Sequence, residues 1–451
     1  MNPTMKLKFQ KRQLINRSVL LTAFLFTSFM LSAQEVYDLK RCIRTGLERN
    51  FSLKVVRNSE QIVMNDYTRG NAGMLPSVTG AGSFGGALDN TSQHFRNAEE
   101  VTSTGEHNTN GSASLNLDMT IFDGFQVQHT FQKLGVQSEI GGLNTQLAVE
   151  NLIAGIIVEY YYYIEQQSLN SNLAYAVSLS RERVRIDEQR YLLGSASKLE
   201  LLQSLVYLNA DSSRYARQRE ELRSSKIRLS EMLALEDLGE GIQLKDTLIV
   251  INENLFYEEL LTQTLEKNTS LQMALKNVAL SELDLKIIES GIYPYLSFNA
   301  GFGYSVNGYS EGELRSRQNI GPSYGVTLGW TIFDGYELRR NRRNARVEIE
   351  SRDIRYQEVE QQVKADLLTI YYAYQNNLSL LRLEEQNLEV ARENLEIALE
   401  RYKLGSLAGL ELREVQKSLL DAEERLISVK YETKLAEISL LQISGKIMDY
   451  L

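Results

Sequence analysis

The chain has 451 residues, of which 43% are hydrophobic and 24% charged, and it carries a formal net charge of −9. That composition excludes a disordered chain, and an acidic balance argues against nucleic acid as a partner. One cysteine (Cys42) and three scattered histidines (His94, His107, His129) leave no disulfide framework and no ready set of metal ligands, so neither metal nor cofactor is expected.

Residues 1–33 read as a signal peptide. Lys6, Lys8, Lys11, Arg12 and Arg17 form a basic start, an apolar run follows from Val19 to Leu31, and Ser32-Ala33 offers a cleavage point. The run is too short for a comfortable membrane anchor, the other use for such a segment. Cleavage leaves Gln34 first, with no cysteine to take a lipid. The mature chain is exported, more acidic still, and without an apolar run of membrane-spanning length.

The rest is a duplication. Thr120-Ile121-Phe122-Asp123-Gly124 recurs as Thr331-Ile332-Phe333-Asp334-Gly335, an offset of 211. Arg190-Tyr191-x-Leu193-Gly194-Ser195 recurs at the same offset as Arg401-Tyr402-x-Leu404-Gly405-Ser406. So does the cluster Tyr160, Tyr161, Tyr163, as Tyr371, Tyr372, Tyr374. Upstream the offset is 218: Leu47-Glu48-x-Asn50 matches Leu265-Glu266-x-Asn268, and Pro76 matches Pro294. A variable loop of seven extra residues therefore belongs between Pro76 and the first Ile-Phe-Asp-Gly.

The first repeat, 34–242, is expected to run as a helix, strands at about 76–88 and 112–122, a long helix at about 124–193 and a helix at about 197–236. The second, 243–451, runs as a helix at about 253–291, strands at about 294–306 and 322–333, a long helix at about 335–404 and a helix at about 408–447. No proline falls between Ser77 and Tyr293 or after Pro322, which permits helices of roughly 100 Å. A single globular domain has no use for that span.

The strands alternate cleanly. Leu115, Leu117, Met119 and Ile121 oppose Ser114, Asn116, Asp118 and Thr120. Leu296, Phe298, Ala300, Phe302 and Tyr304 oppose Ser297, Asn299, Gly301 and Gly303. Tyr324, Val326, Leu328, Trp330 and Ile332 oppose Gly325, Thr327, Gly329 and Thr331, while Ser77–Gly85 is glycine-rich and weaker. Such strands suit a transmembrane β-barrel or a sandwich with one wet face. The wet positions hold Ser, Thr, Asn and Gly rather than Lys and Glu, which favours the barrel.

In the helices, Leu412, Val415, Leu419, Ala422, Leu426, Val429, Thr433, Ala436 and Leu440 step by threes and fours. Leu381, Leu388, Leu395 and Tyr402 step by seven, with Ala391 and Ala398 between. These are coiled-coil seams. The first-repeat seam (Leu201, Leu205, Leu208, Tyr215, Leu222, Leu229) is interrupted by Ser212, Arg219 and Lys226. The tyrosine clusters read as packing between helices. Four strands cannot close a barrel, and lipid does not tolerate open edges, so several chains must share one. Two chains give an interior filled by side chains; three leave a lumen.

In order and in duplication, these motifs resemble the TolC-type outer-membrane efflux proteins over essentially the whole mature chain: the proline-led first strand of each pair, the Phe-Asp-Gly after the second, and the Tyr-x-x-Gly followed by an acidic, leucine-rich helix. The resemblance implies an internally duplicated α+β membrane protein with four barrel strands per chain plus long coiled-coil helices. It implies a homotrimer with a twelve-stranded β-barrel in the outer membrane, continued by a periplasmic α-helical barrel, with 237–250 in an equatorial belt. The implied function is a passive exit duct of a tripartite efflux or type I secretion system. Its partners are a periplasmic adaptor (membrane fusion) protein, an inner-membrane pump of RND or ABC type, and outer-membrane lipid, but no nucleic acid.

From the residues alone, the two Tyr-x-x-Gly-Ser turns are helix reversals at the far tip. By resemblance, Gly194, Ser195, Gly405 and Ser406 dock the adaptor, and Glu200, Tyr402, Glu411 and Glu414 constrict the periplasmic entrance. The arginine that the best-known relative carries just past the turn is Leu407 here. The glutamates read equally as solvated helix residues. His94 and His107 fall in the loop from Leu88 to Ser112, where a metal site is the lesser reading. No phosphate loop, nucleophile elbow or paired-acid motif stands in context, so no enzyme is expected. A pore-less structural or adhesive helical protein is the alternative. A periplasmic adaptor would need a lipoyl-like domain between its hairpin arms, and no such segment is visible.

Overall fold

The described residues are 36–97, 99–238, 242–310 and 314–450 of a computed structural model. The leader at 1–33 lies outside them, as do Gly239 and Gly241 of the expected belt segment. Along them run β1 (Val36–Tyr37), α1 (Leu39–Arg49), α2 (Phe51–Asp66), β2 (Ser77–Gln93), β3 (Val101–Phe122), α3 (Gln126–Leu192) and α4 (Lys198–Met232). Then follow β4 (Gln243–Leu244), α5 (Tyr257–Lys267), α6 (Thr269–Ser290), β5 (Tyr295–Gly308), β6 (Ser316–Gly329), α7 (Glu337–Lys403), α8 (Gly409–Ile443) and a 3-10 turn (Ile447–Tyr450). The repeat reaches the element bounds. α3 and α7 are each 67 residues long, and α4 and α8 each 35.

Two compact units result. One contains the described residues through Phe51, with Glu150–Leu260 and the chain from Leu368; the other contains Ser52–Val149 and Leu261–Leu367.

The second unit holds a four-stranded antiparallel sheet, ordered β2-β3-β5-β6. Its register carries one apolar face across all four strands. Val78 pairs Leu117, which pairs Ala300, which pairs Tyr324; Leu115 pairs Phe302, and Phe298 pairs Val326. Much of this face is exposed (Val78 67%, Leu115 60%, Phe302 52%, Tyr324 86%), while Leu117, Phe298 and Ala300 are half-buried. The other face runs Thr79, Asn116, Gly301, Ser323, with Asp118 and Asn299 one step on. In a chain alone in water, an apolar face this large is unfavourable by tens of cal/mol for each Å².

The first hairpin is longer than the alternation predicts. β2 continues to Gln93 and β3 starts at Val101, so most of the expected 88–112 loop is paired. β5 stops at Gly308, opposite Thr109, so the start of β3 pairs with β2 only. This part lacks apolar alternation; backbone hydrogen bonding extends it. A bulge interrupts it, where Asn90 Oδ1 accepts the Gly105 N–H at 2.7 Å. His107 is therefore a strand residue opposite Leu88, and His94 sits 3.2 Å from Glu100. In the second repeat, β6 ends at Gly329 rather than 333.

The Phe-Asp-Gly motif is the joint between strand and long helix. Asp123 Oδ2 accepts the Val127 N–H at 3.0 Å, and Asp334 Oδ2 the Leu338 N–H at 2.7 Å, each capping its helix. Gly124 and Phe125, and likewise Gly335 and Tyr336, take consecutive left-handed conformations. At Gly124 a Cβ would also lie 2.4 Å from the Ser290 carbonyl oxygen, so glycine is required twice over. The matched asparagines mark helix breaks: Asn268 caps α6 through the Leu271 N–H, which divides the single helix expected at 253–291.

In the first unit, α7 and α8 pair along the expected seam. Leu381, Leu388, Leu395, Ala398, Tyr402, Leu412, Leu419, Ala422 and Leu426 form one buried cluster. Each buried leucine stabilises by roughly 1.5–3 kcal/mol. The first-repeat seam differs from the leucine reading. In α4 the buried positions are Ser204, Asp211, Ser225, Leu229 and Ser230, while Leu205 is exposed. Gln218 occupies the intervening heptad position and bonds Gln166 Oε1 at 2.7 Å. Asp211 and Gln218 bond other helices, while Ser204 and Ser225 return their hydroxyls to the Leu201 and Leu222 carbonyls of α4 itself, so small and polar side chains line the inward face.

The segment expected to form a belt is pinned to the same unit by its own bonds. β4 pairs β1 in parallel, Val36 opposite Gln243 and Tyr37 opposite Leu244. Tyr160 Oη donates to Asp246 at 2.6 Å, Tyr374 Oη donates to the Asn252 carbonyl, and the Asn252 N–H donates to Glu437 at 3.0 Å. One tyrosine from each repeat's cluster, Tyr160 and Tyr374, is thus fully buried and holds this segment. No helix among the described residues is long and apolar enough to cross a membrane.

Candidate functional site

The two helix reversals are built alike. In the first, the Ser195 N–H bonds the Arg190 carbonyl at 2.8 Å and the Gly194 N–H bonds the Tyr191 carbonyl at 3.0 Å. In the second, Ser406 bonds Arg401 at 2.9 Å and Gly405 bonds Tyr402 at 3.0 Å. This is the Schellman closure, and its glycines have φ of 74° and 77°. Both serine hydroxyls also donate to the arginine carbonyl, at 3.0 Å. The Arg-Tyr-x-Leu-Gly-Ser repeat is therefore a complete turn, with Leu193 and Leu404 left exposed at its tip.

The helices after the turns start differently. Ser197 and Glu200 form a capping box: the Glu200 carboxylate accepts the Ser197 N–H at 2.8 Å, and the Ser197 hydroxyl accepts the Glu200 N–H at 3.3 Å. Ala408 offers no side-chain cap. Glu411, at the position matching Glu200, is exposed, and so is Glu414.

Tyr402 is buried and donates its hydroxyl to Asp187 of α3, itself buried. Burial pushes the Tyr402 hydroxyl up to about 12, and the bond to Asp187 adds to the shift. Arg183 lies 3.7 Å from Asp187, and the Arg190 guanidinium stands over the Tyr402 ring at 5.3 Å. About two turns back along α3, at Ser180, is a second cross-repeat link. Arg413 of α8 donates to both oxygens of Asp211 in α4, at 2.7 and 2.8 Å, and Ser180 donates to Asp211 at 2.5 Å. Arg183 and Arg413 both pack over the Tyr207 ring, at 5.2 and 5.0 Å.

The structure thus brings Tyr402 together with Asp187, Arg183 and Arg190, and leaves Glu411 and Glu414 outside that network. The sequence reading missed Asp187, Asp211, Arg183 and Arg413. The signal lay in the first-repeat seam, where Ser204, Asp211, Gln218 and Ser225 recur at seven-residue steps. Arg413 of the second repeat supplies a bidentate ion pair to Asp211 of the first.

Residues 260–446 match the outer membrane efflux protein family. The resemblance drawn from the duplicated motifs is borne out there. No curated protein sequence matches the chain. Solved structures share the fold at low identity. The CmeC outer membrane channel of Campylobacter jejuni is 16% identical, with a TM-score of 0.74 over 90% of this chain and 85% of its own. The outer membrane protein VceC of Vibrio cholerae is 17% identical, with 0.69 over 90% and 96%. The open-state MtrE outer membrane channel of Neisseria gonorrhoeae is 16% identical, with 0.65 over 90% and 88%.

Proposed function

We propose that this chain, an outer membrane efflux protein in its matched second repeat and channel-like in its fold, is one subunit of a passive exit duct. The observation that carries the reading is the sheet. Its four strands present one exposed apolar face and one polar face, and β2 and β6 are left as edges. Lipid on one side and water on the other satisfy both faces, and neighbouring copies satisfy both edges. Three copies supply twelve strands, enough for a water-filled lumen. A further apolar stripe on α7 (Leu383, Val390, Ile397) is exposed at heptad spacing beside the seam already used within the chain. That stripe supports side-by-side packing of copies into a helical wall.

In this reading the duct crosses the outer membrane as a multi-pass barrel and extends into the periplasm. Substrate arrives from an inner-membrane pump of RND or ABC type through a periplasmic adaptor, which docks on the Gly194-Ser195 and Gly405-Ser406 turns. Glu200, Tyr402, Glu411 and Glu414 surround the entrance. The bonds from Tyr402 to Asp187 and from Arg413 to Asp211 support a resting state in which the two hairpins of one chain are held together. Opening breaks those bonds, and the exposed glutamates of symmetric copies favour cations.

The test is single-channel recording of the purified protein in planar bilayers, with wild type and Glu411→Lys/Glu414→Lys compared. The reading expects steady conductance from wild type and reduced cation selectivity from the variant. Absence of conductance would remove the duct; unchanged selectivity would remove the two glutamates from the constriction.

A further inference from the structure

The first turns of α7 carry five arginines in eight positions: Arg339, Arg340, Arg342, Arg343 and Arg346. In a chain of net charge −9 this is a local inversion. The duplication provides an internal control. The positions matched at offset 211 are Gln128, His129, Phe131, Gln132 and Gly135, on a helix of the same length leaving the same sheet through the same Asp-Gly turn. The first-repeat joint therefore folds without arginine at any of these five positions, its one lysine there (Lys133) being paired with Asp284 at 2.5 Å, and the arginines need another reason.

Two of them are explained locally. Arg342 donates twice to Glu289, at 3.1 and 2.8 Å, and Arg340 pairs with Glu337 at 3.3 Å. Arg346 reaches Glu289 only at 4.0 Å. Arg339 and Arg343 are exposed and have no acidic partner among the described residues. Arg339, Arg343 and Arg346 stand at i, i+4 and i+7, on one face of the helix.

The neighbourhood points to a membrane boundary. The register puts Ser77, Phe122, Tyr295 and Gly329 at one end of the sheet, where the helices attach. Exposed aromatic side chains collect there: Phe125 52%, Tyr293 52%, Trp330 62%, Phe333 72% and Tyr336 66%. Amphipathic rings at the end of an apolar strand band mark the headgroup level. Phe333 and Tyr336 pack edge to face at 5.5 Å, and Arg339 and Arg340 follow within the next helical turn. The basic stripe therefore begins where the aromatic ring ends.

We infer that this face of α7 binds anionic phospholipid headgroups of the leaflet on the helical side of the sheet, with Arg339 and Arg343 as the free cations. A guanidinium matches phosphate oxygens with paired N–H groups and gives up its hydration more readily than an ammonium. Basic side chains at a membrane surface each raise affinity for anionic lipid by on the order of fivefold, and salt screens the effect. The inference rests on the reading of the sheet as a membrane barrel.

The test uses the full protein in vesicles of phosphatidylcholine, with or without phosphatidylglycerol. Association of spin-labelled phosphatidylglycerol and phosphatidylcholine is read by electron paramagnetic resonance, and conductance is measured in parallel. Arg339→Gln/Arg343→Gln installs the glutamines that the first repeat already carries, so the fold tolerates them. Wild type should prefer phosphatidylglycerol at least fivefold at low salt. The glutamine variant should lose most of that preference and still conduct, and Arg339→Lys/Arg343→Lys should retain much of it. A conducting wild type without preference, or a glutamine variant that keeps it, overturns the inference. So does a variant that changes ion selectivity but not lipid preference, because the arginines would then face the lumen. A wild type that neither inserts nor conducts refutes the barrel reading itself and takes this inference with it.

Discussion

Asp211→Asn is the sharpest perturbation of the link between the repeats. Asp211 is 2% exposed and accepts three bonds: two from Arg413, and one from Ser180 at 2.5 Å. Asparagine keeps the volume, removes the charge and turns an N–H₂ toward the guanidinium or the serine. Breaking a buried pair costs about 3–5 kcal/mol. Arg413 keeps 15% of its side chain exposed and can turn toward water, which lowers the expected loss to about 2–3 kcal/mol. That corresponds to roughly 30- to 150-fold in an equilibrium between joined and separated hairpins. Single-channel recordings of Asp211→Asn, Arg413→Gln and the double variant should show each single change raising conductance or open probability. The double variant should add little beyond the larger single effect. Effects that sum within about 0.5 kcal/mol would refute direct coupling. Lower thermal stability with unaltered recordings would refute a gating role.

Two further variants test the fold and its pH response. Gly124→Ala should greatly reduce folded yield, because its Cβ meets the Ser290 carbonyl oxygen. Gly335→Ala, with open space around it, should cost only the left-handed strain of about 1–2 kcal/mol in thermal unfolding; equal losses would refute the distinction. Glu165 is buried, and burial pushes its carboxyl up to about 7; the Gln166 bond opposes the shift and Glu432 adds to it. A raised carboxyl contributes stability in its protonated form below about pH 4.5 and loses it as pH rises through about 7. Glu165→Gln should therefore stabilise by on the order of 1–3 kcal/mol at pH 8 and change little at pH 4.5. A gain independent of pH would contradict the assignment.

The local parts of this fold were legible because each rests on a short-range rule. Period-two alternation put Leu115, Phe298 and Val326 on one face, and seven-residue spacing put Leu381, Leu388 and Leu395 in one seam. A left-handed glycine closed both helix reversals. The misreadings arose where distant pairing overrode local pattern. The start of β3 has no alternation and extends through its hydrogen bonds to β2. The α4 seam looked interrupted because its inward positions are small or polar (Ser204, Asp211, Gln218 and Ser225), and Asp211 and Gln218 meet partners far away in sequence, Arg413 and Gln166.

The sequence by itself determined the duplication, the order of the elements and the two-faced strands, because periodicity and turn chemistry act over a few residues. Only the tertiary structure decided which polar groups meet: Tyr402 with Asp187, Arg413 with Asp211, Tyr160 with Asp246. Each pairing joins elements far apart in the chain, and a buried charge is held by whichever partner the fold brings within hydrogen-bond distance.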